Sequence, residues 1–196
     1  MHNIYTTEGF ILKSMPFGEA NRYFLIFTKE FGLIRATAQG VRLLKSKLRY
    51  GLVDNSLVNL SVVRGKDLWR ITSAEAVVST QSDFKFRLNE FRLIGRIFSL
   101  VLRLVHGEEK NERLFTDLRE AVYFLKQNTM STFQLHNFEC ILALRLLFDL
   151  GYLSGVGDFK TFVSSSEFNL DLISSLDDIK GKAIGEINKS LKESQL

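Results

Sequence analysis

Arg22-Tyr23-Phe24-Leu25-Ile26-Phe27-Thr28-Lys29-Glu30-Phe31-Gly32-Leu33-Ile34-Arg35-Ala36-Thr37-Ala38-Gln39 reads as two strands joined by a tight turn. In its second half Ile34, Ala36 and Ala38 alternate with Arg35, Thr37 and Gln39, the period of a strand with one buried face. Gly32 can take the positive φ that such a turn needs. Upstream, residues 9–14 form another short apolar run, and residues 14–19, with the only proline, Pro16, carry turn chemistry. Downstream, Val58, Leu60 and Val62 alternate with polar neighbours, and Arg64-Gly65-Lys66-Asp67 leads as a hairpin into residues 68–74. Five short strands in this span predict a small barrel of the OB-fold type over residues 1–79.

The period then changes. Leu88, Phe91, Ile94, Phe98, Val101, Leu102 and Val105 recur at three- and four-residue steps, predicting a helix over 84–106. Leu114, Leu118, Ala121, Val122 and Leu125 mark a second helix ending near Asn128. Ser131-Thr132 offers an N-cap for a third, apolar nearly all round and closed by Gly151. Residues 154–169 read as irregular, and a last helix spans Leu172 to Leu191, weakened by Gly181 and Gly185. The expected architecture is α+β, a five-stranded barrel followed by an all-α domain over 80–196.

Charge is divided unevenly between these halves. Residues 1–76 hold eleven Lys/Arg against six Asp/Glu, a net of +5, whereas the remainder holds fifteen against sixteen, a net of −1. Between Lys29 and Arg49 there are six cations, Lys29, Arg35, Arg42, Lys45, Lys47 and Arg49, and one acid, Glu30. Arg64, Lys66 and Arg70 lie on the second hairpin. A cationic rim on a β-surface, interleaved with Leu43, Leu44 and Tyr50, suits a nucleic acid. Tyr50 and Trp69 are candidate base-stacking rings, Trp69 equally a plug for the barrel end. On the first helix Lys85, Arg92, Arg96 and Arg103 share a stripe, for which ion pairs with Glu108, Glu109, Glu112 or Asp117 are the simpler use. Arg145, alone among leucines, must pair, snorkel or line a pocket.

Enzyme chemistry finds no foothold. His2, His106 and His136 are scattered, the single cysteine, Cys140, sits in an apolar helix, and no phosphate-cradling glycine loop precedes a Lys-Ser/Thr pair. No metal or cofactor is expected. With no signal-like N-terminus and no apolar run long enough to span a bilayer, the chain reads as cytoplasmic, and as nucleoid-associated if it binds DNA.

The ordered set Gly18-Glu19, Asn21-Arg22, Phe27-Thr28, Gly32, Ala38-Gln39-Gly40-Val41-Arg42, Lys45-Ser46-Lys47-Leu48-Arg49, Arg64-Gly65, Ile71 and Glu75 resembles the RecO family. Phe138-Glu139, Leu144-Arg145-Leu146-Leu147 and Leu150-Gly151-Tyr152-Leu153 resemble the central helix of that family and its exit. The resemblance implies an OB-fold with a helical domain and no catalytic centre. It implies binding of single- and double-stranded DNA and annealing of complementary strands. It also implies work with RecR and single-stranded-DNA-binding protein to assist RecA loading in recombinational repair. The basic positions would form the DNA surface, and Arg96, Arg103 and Arg145 would be the cations available to the acidic tail of single-stranded-DNA-binding protein. Many members carry a four-cysteine zinc module after the Leu-Gly-Tyr-Leu exit; residues 155–168 contain no cysteine, and the sequence stops earlier than in those members. An OB-fold RNA-binding protein, and an interaction module gripping an acidic partner, are the alternative readings.

Overall fold

The computed structural model of the chain describes residues 3–153 and 155–194; His2, and Ser154 of the irregular stretch, lie outside the described residues. By contact the chain divides into two compact units, Met1–Phe86 with His106–Glu112, and Arg87–Val105 with Arg113–Leu196.

In the first unit β1 (Ile4–Phe17), β2 (Asn21–Thr28), β3 (Gly32–Ala38), β4 (Leu57–Arg64) and β5 (Trp69–Val78) close into a barrel in the order β1-β2-β3-β5-β4. All pairings are antiparallel except β3 with β5, where Ala36 meets Trp69 and Thr37 meets Arg70 in parallel. This is the five-stranded OB-fold. Alternation does what the pattern promised: Ile34, Ala36 and Ala38 are fully buried in the barrel core with Phe24, Ile26 and Leu60. The β2–β3 turn is held by Thr28, whose Oγ1 donates to the Gly32 carbonyl at 2.9 Å and accepts the Phe31 N–H at 3.0 Å, with Gly32 at φ 64°.

The first strand is longer than its apolar run suggests. It continues past Pro16, which faces Arg22, and the turn falls at Gly18, φ 63°. β4 pairs with β1 only between Ile4 and Phe10, so the far edge of the Lys13–Phe17 stretch is open and a residue without an N–H is tolerated there. One-turn helices α1 (Leu48–Gly51) and α2 (Thr80–Asp83) follow β3 and β5. A Cβ on Gly51 would run into the Ala74 carbonyl, so α1 packs directly on the backbone of β5. One end of the barrel is filled by Tyr5, Phe31 and Trp69, with ring centroids 4.9 to 5.7 Å apart. The 106–112 segment belongs to this unit: Leu33 N–H donates to the Gly107 carbonyl at 3.1 Å, and Lys110 pairs with Glu30 at 3.3 Å.

The second unit contains α3 (Leu88–Leu104), α4 (Glu112–Gln127), α5 (Thr132–Asp149), α6 (Lys160–Val163), α7 (Leu170–Ser175) and α8 (Lys180–Glu193). α5 is its centre, buried on nearly every side. It opens on a capping box in which Ser131 Oγ accepts the Gln134 N–H at 3.2 Å and Gln134 Oε1 accepts the Ser131 N–H at 3.0 Å. Gly151, φ 75°, closes it. The irregular stretch holds a 3-10 turn (Gly157–Phe159) and α6. The last helix is divided: a 3-10 turn (Leu176–Ile179) separates α7 from α8, while Gly181 and Gly185 sit inside α8 without breaking it. No helix among the described residues is long and apolar enough to cross a membrane.

Candidate nucleic-acid interface

Strand register decides which barrel side chains share a face. Lys13 stands opposite Leu25, and Leu25 opposite Arg35. Two residues along, Met15, Tyr23 and Thr37 line up, and Thr37 faces Arg70 of β5. Opposed residues, and residues two apart, project from one side of a sheet. Lys13, Arg35 and Arg70 therefore stand on one face, together with Tyr23 and the exposed apolar side chains Met15 and Phe17. OB-folds hold oligonucleotides on this strand face and on the β1–β2 and β4–β5 loops. Here those loops carry the Gly18–Ala20 turn and Lys66.

The second element is the loop between β3 and α1. Its start is fastened to the β1–β2 turn: Gly40 N–H donates to Asn21 Oδ1 at 2.9 Å, Arg42 N–H to the Ala20 carbonyl at 3.0 Å, and the Arg42 guanidinium to the Gly18 carbonyl at 3.3 Å. Its end is α1, whose Leu48 packs on the barrel core. Lys45, Lys47 and Arg49 are exposed, as are Leu44 and Tyr50, at 84% and 74%. The Arg49 guanidinium lies 5.9 Å from the Tyr50 ring centre.

Among the described residues Lys13, Lys29, Arg35, Arg42, Lys45, Lys47, Arg49, Lys66 and Arg70 form no ion pair. Lys29 is half-buried; the others are exposed. Arg64 differs, pairing with Glu108 at 3.1 Å and standing 5.3 Å over the Trp69 ring. Trp69 itself is only 3% exposed and donates its Nε1–H to Glu108 Oε1 at 2.9 Å. It is a plug of the barrel end, not a platform for a base, because the aromatic cluster already covers its faces. Tyr50 is the candidate stacking ring that presents a face to solvent.

Three further side chains lie on this strand face or beside it. Lys13 and Tyr23 could have been found by carrying the register of the β2–β3 hairpin back to β1. Arg22 lines a cleft of about 480 Å³ with Arg42 and Arg49, and no local pattern signals that.

The helical unit treats its cations differently. Arg96 grips Glu139 with two bonds of 2.6 Å, which holds its guanidinium above its usual pKa. The partner is an acid of α5, not one of the four acids near the start of α4. Arg103 and Arg92 are exposed on α3; Lys85 precedes the helix and stands by the Phe86 ring. Arg145, expected as a cation for a partner's tail, is wholly buried. Its Nε and two terminal nitrogens donate to the carbonyls of Phe162, Ser166 and Glu167 at 2.7 to 2.9 Å, with Phe168 stacked 4.0 Å away. Burial lowers its pKa to about 10. It is consumed in shaping the 162–168 loop. Half-buried Cys140 has its thiol pKa raised by burial. No group of three metal-ligating side chains gathers among the described residues.

The family model described as "Recombination protein O N terminal" matches residues 1–80. A DNA repair protein RecO of Gloeothece citriformis is 35% identical over 128 residues, covering 65% of this chain and 44% of that protein. The one from Trichodesmium erythraeum is 33% identical over 145 residues, covering 74% and 50%, and that of Synechocystis sp. 45% identical over 80 residues, covering 40% and 29%. The chain thus spans about half the length of the first two relatives. With an N-terminal match over the whole barrel, and relatives aligning onward into the helices, the chain belongs to the RecO family.

Proposed function

We propose that this chain binds and anneals DNA in recombinational repair, as a non-enzymatic mediator that works with RecR and single-stranded-DNA-binding protein to assist RecA loading. The observation that carries the reading is the set of cations without an ion pair among the described residues, on the β1–β2–β3–β5 face and the β3–α1 loop, interleaved with exposed Phe17, Leu44 and Tyr50. Lysines and arginines without carboxylate partners are free to replace the counterions of phosphates. Neutralised strands approach one another with less repulsion, which is what annealing requires. Exposed rings beside the cations give bases a surface to stack on. The relatives' shared name, DNA repair protein RecO, supports a role in repair; the setting that follows from the proposed DNA binding is the cytoplasm at the nucleoid. The partner surfaces are a matter for the family resemblance; exposed Arg103 and the Arg96–Glu139 pair are the helical cations an acidic tail could meet.

The test is reversal of Lys45, Lys47 and Arg49 to Glu, read by fluorescence anisotropy on single-stranded DNA. If about six phosphates are engaged, the parent's log–log salt slope is about −4. The triple variant should lose orders of magnitude in affinity while keeping its thermal unfolding midpoint. Annealing of DNA coated with single-stranded-DNA-binding protein should fall in parallel. Unchanged binding by the triple variant would refute the reading.

A further inference from the structure

The cleft bordered by Arg22, Arg42 and Arg49 is a different kind of site from the open cationic face. Its apolar lining is Val41 and Leu52, core residues each 4% exposed, and half-buried Val53. Its volume, about 480 Å³, lies within the roughly 300–1,000 Å³ typical of small-ligand pockets. Arg22 and Asp54 both line it, and each carries one buried side-chain atom, Nε and Oδ1, with no hydrogen-bond partner among the described residues. A buried donor or acceptor left unsatisfied costs about 1–3 kcal/mol. The two do not relieve each other, since no ion pair joins them. The cleft is thus lined by three guanidinium groups, one carboxylate and apolar side chains.

That combination excludes the simplest ligand. A bare phosphate would satisfy the arginines but would face the charge of Asp54 and leave half-buried Val53 uncovered. An apolar molecule would leave Arg22 and Asp54 unsatisfied. A nucleotide presents all the complements: an anionic phosphate, a flat base for the apolar lining, and N–H groups on the base edge for a carboxylate oxygen. The walls are also set in advance. Asn21 and the Ala20 and Gly18 carbonyls hold the Gly40–Arg42 side, and Gly51 pressed on Ala74 holds the α1 side. A preformed pocket loses little freedom on binding.

We propose that this cleft takes one nucleotide of the bound strand, its phosphate on Arg22, Arg42 and Arg49 and its base against Val53 with an N–H directed at Asp54. The proposal rests on the reading of the barrel as a DNA binder and adds to it a discrete pocket within an otherwise continuous electrostatic surface. A strand terminus and an internal nucleotide turned out of the strand offer the same chemistry.

The experiment is calorimetric titration of the full chain with deoxycytidine 5′-monophosphate, deoxycytidine, inorganic phosphate, and oligothymidylate with or without a 5′-phosphate. The mononucleotide should bind saturably and about tenfold or more tighter than either of its halves, the worth of one further charge-assisted hydrogen bond. Arg22→Lys keeps the charge but loses the planar fork, and should weaken the mononucleotide about tenfold. Arg49→Gln, at an exposed rim position, repeats the test where no core contact is at risk.

Asp54→Ala separates a pocket from a patch. On a merely electrostatic surface, removing an acid strengthens both phosphate and mononucleotide. In the proposed pocket phosphate binds more tightly while the mononucleotide binds less tightly. Tighter binding of the phosphorylated oligonucleotide identifies a strand end as the occupant; equal binding identifies an internal nucleotide; both support the pocket. Mononucleotide binding no better than phosphate overturns it. Oligonucleotide binding with no mononucleotide binding also overturns it, and leaves the DNA-binding reading standing. If no oligonucleotide binds, both readings fall.

Discussion

The indole of Trp69 donates its proton to Glu108 Oε1 at 2.9 Å, tying β5 to a segment 39 residues further on. The other oxygen of the same carboxylate takes Arg64 at 3.1 Å, and the Arg64 guanidinium covers the Trp69 ring. One acid thus fastens the 106–112 segment to the plugged end of the barrel. Glu108→Ala leaves the buried indole without an acceptor and should cost about 1–3 kcal/mol, with Glu108→Gln costing less. Trp69 is the only tryptophan, so urea unfolding followed by its fluorescence reads the barrel directly.

Lys13, Arg35 and Arg70 share a strand face and form no ion pair among the described residues. Each substitution to Ala should make the salt slope of single-strand binding shallower by about 0.7 if that side chain meets a phosphate. Arg64→Ala should change the slope less, because Glu108 already neutralises it. Anisotropy titrations across a salt series measure both.

Arg145 satisfies three carbonyls from within the helical unit. Arg145→Ala strands those acceptors and removes the cation facing Asp117 and Asp149, a loss of about 3–5 kcal/mol for a broken buried charge site. DNA binding should persist at temperatures where the variant remains folded. Chemical denaturation and binding measured on the same preparation check this.

Asp149 supplies a pH dependence. Burial, and then a hydrogen bond with Asp117, push its carboxyl from 3.8 up to about 7, against the pull of Arg113 and Arg145. Its oxygen lies 2.8 Å from Arg113 Nε, yet its side chain is 1% exposed, so desolvation prevails. The folded chain therefore keeps a proton that the unfolded chain gives up between pH 3.8 and about 7. That contribution to stability is complete below pH 3.8 and disappears as pH rises through about 7. Urea midpoints should fall from about pH 5 to about pH 8, and Asp149→Asn should flatten that decline.

Much of this was legible residue by residue. The alternation at Ile34, Ala36 and Ala38, the Gly32 turn, the Ser131 cap and the Gly151 exit are local signals, each settled by neighbours a few positions away. The path of β1 beyond Pro16 was not, because a proline's tolerance depends on whether the adjoining edge is paired. Nor was the grouping of 106–112 with the barrel, which depends on contacts with Gly32, Leu33, Arg64 and Trp69. Among the site residues, the loop cations stood out by their density, whereas Arg22, spaced far from Arg42 and Arg49, did not.

Periodicity and charge spacing are properties of a linear string, so they were enough to announce a small barrel, a helical half and an excess of cations on the former. Whether a given ring or guanidinium meets water or other protein is a property of what packs over it. Folding turned Trp69 into core, closed Arg145 within carbonyls, paired Arg64 with Glu108, and gathered three arginines around one cleft. Those outcomes turn on contacts between residues distant in the chain, which no short window of sequence contains.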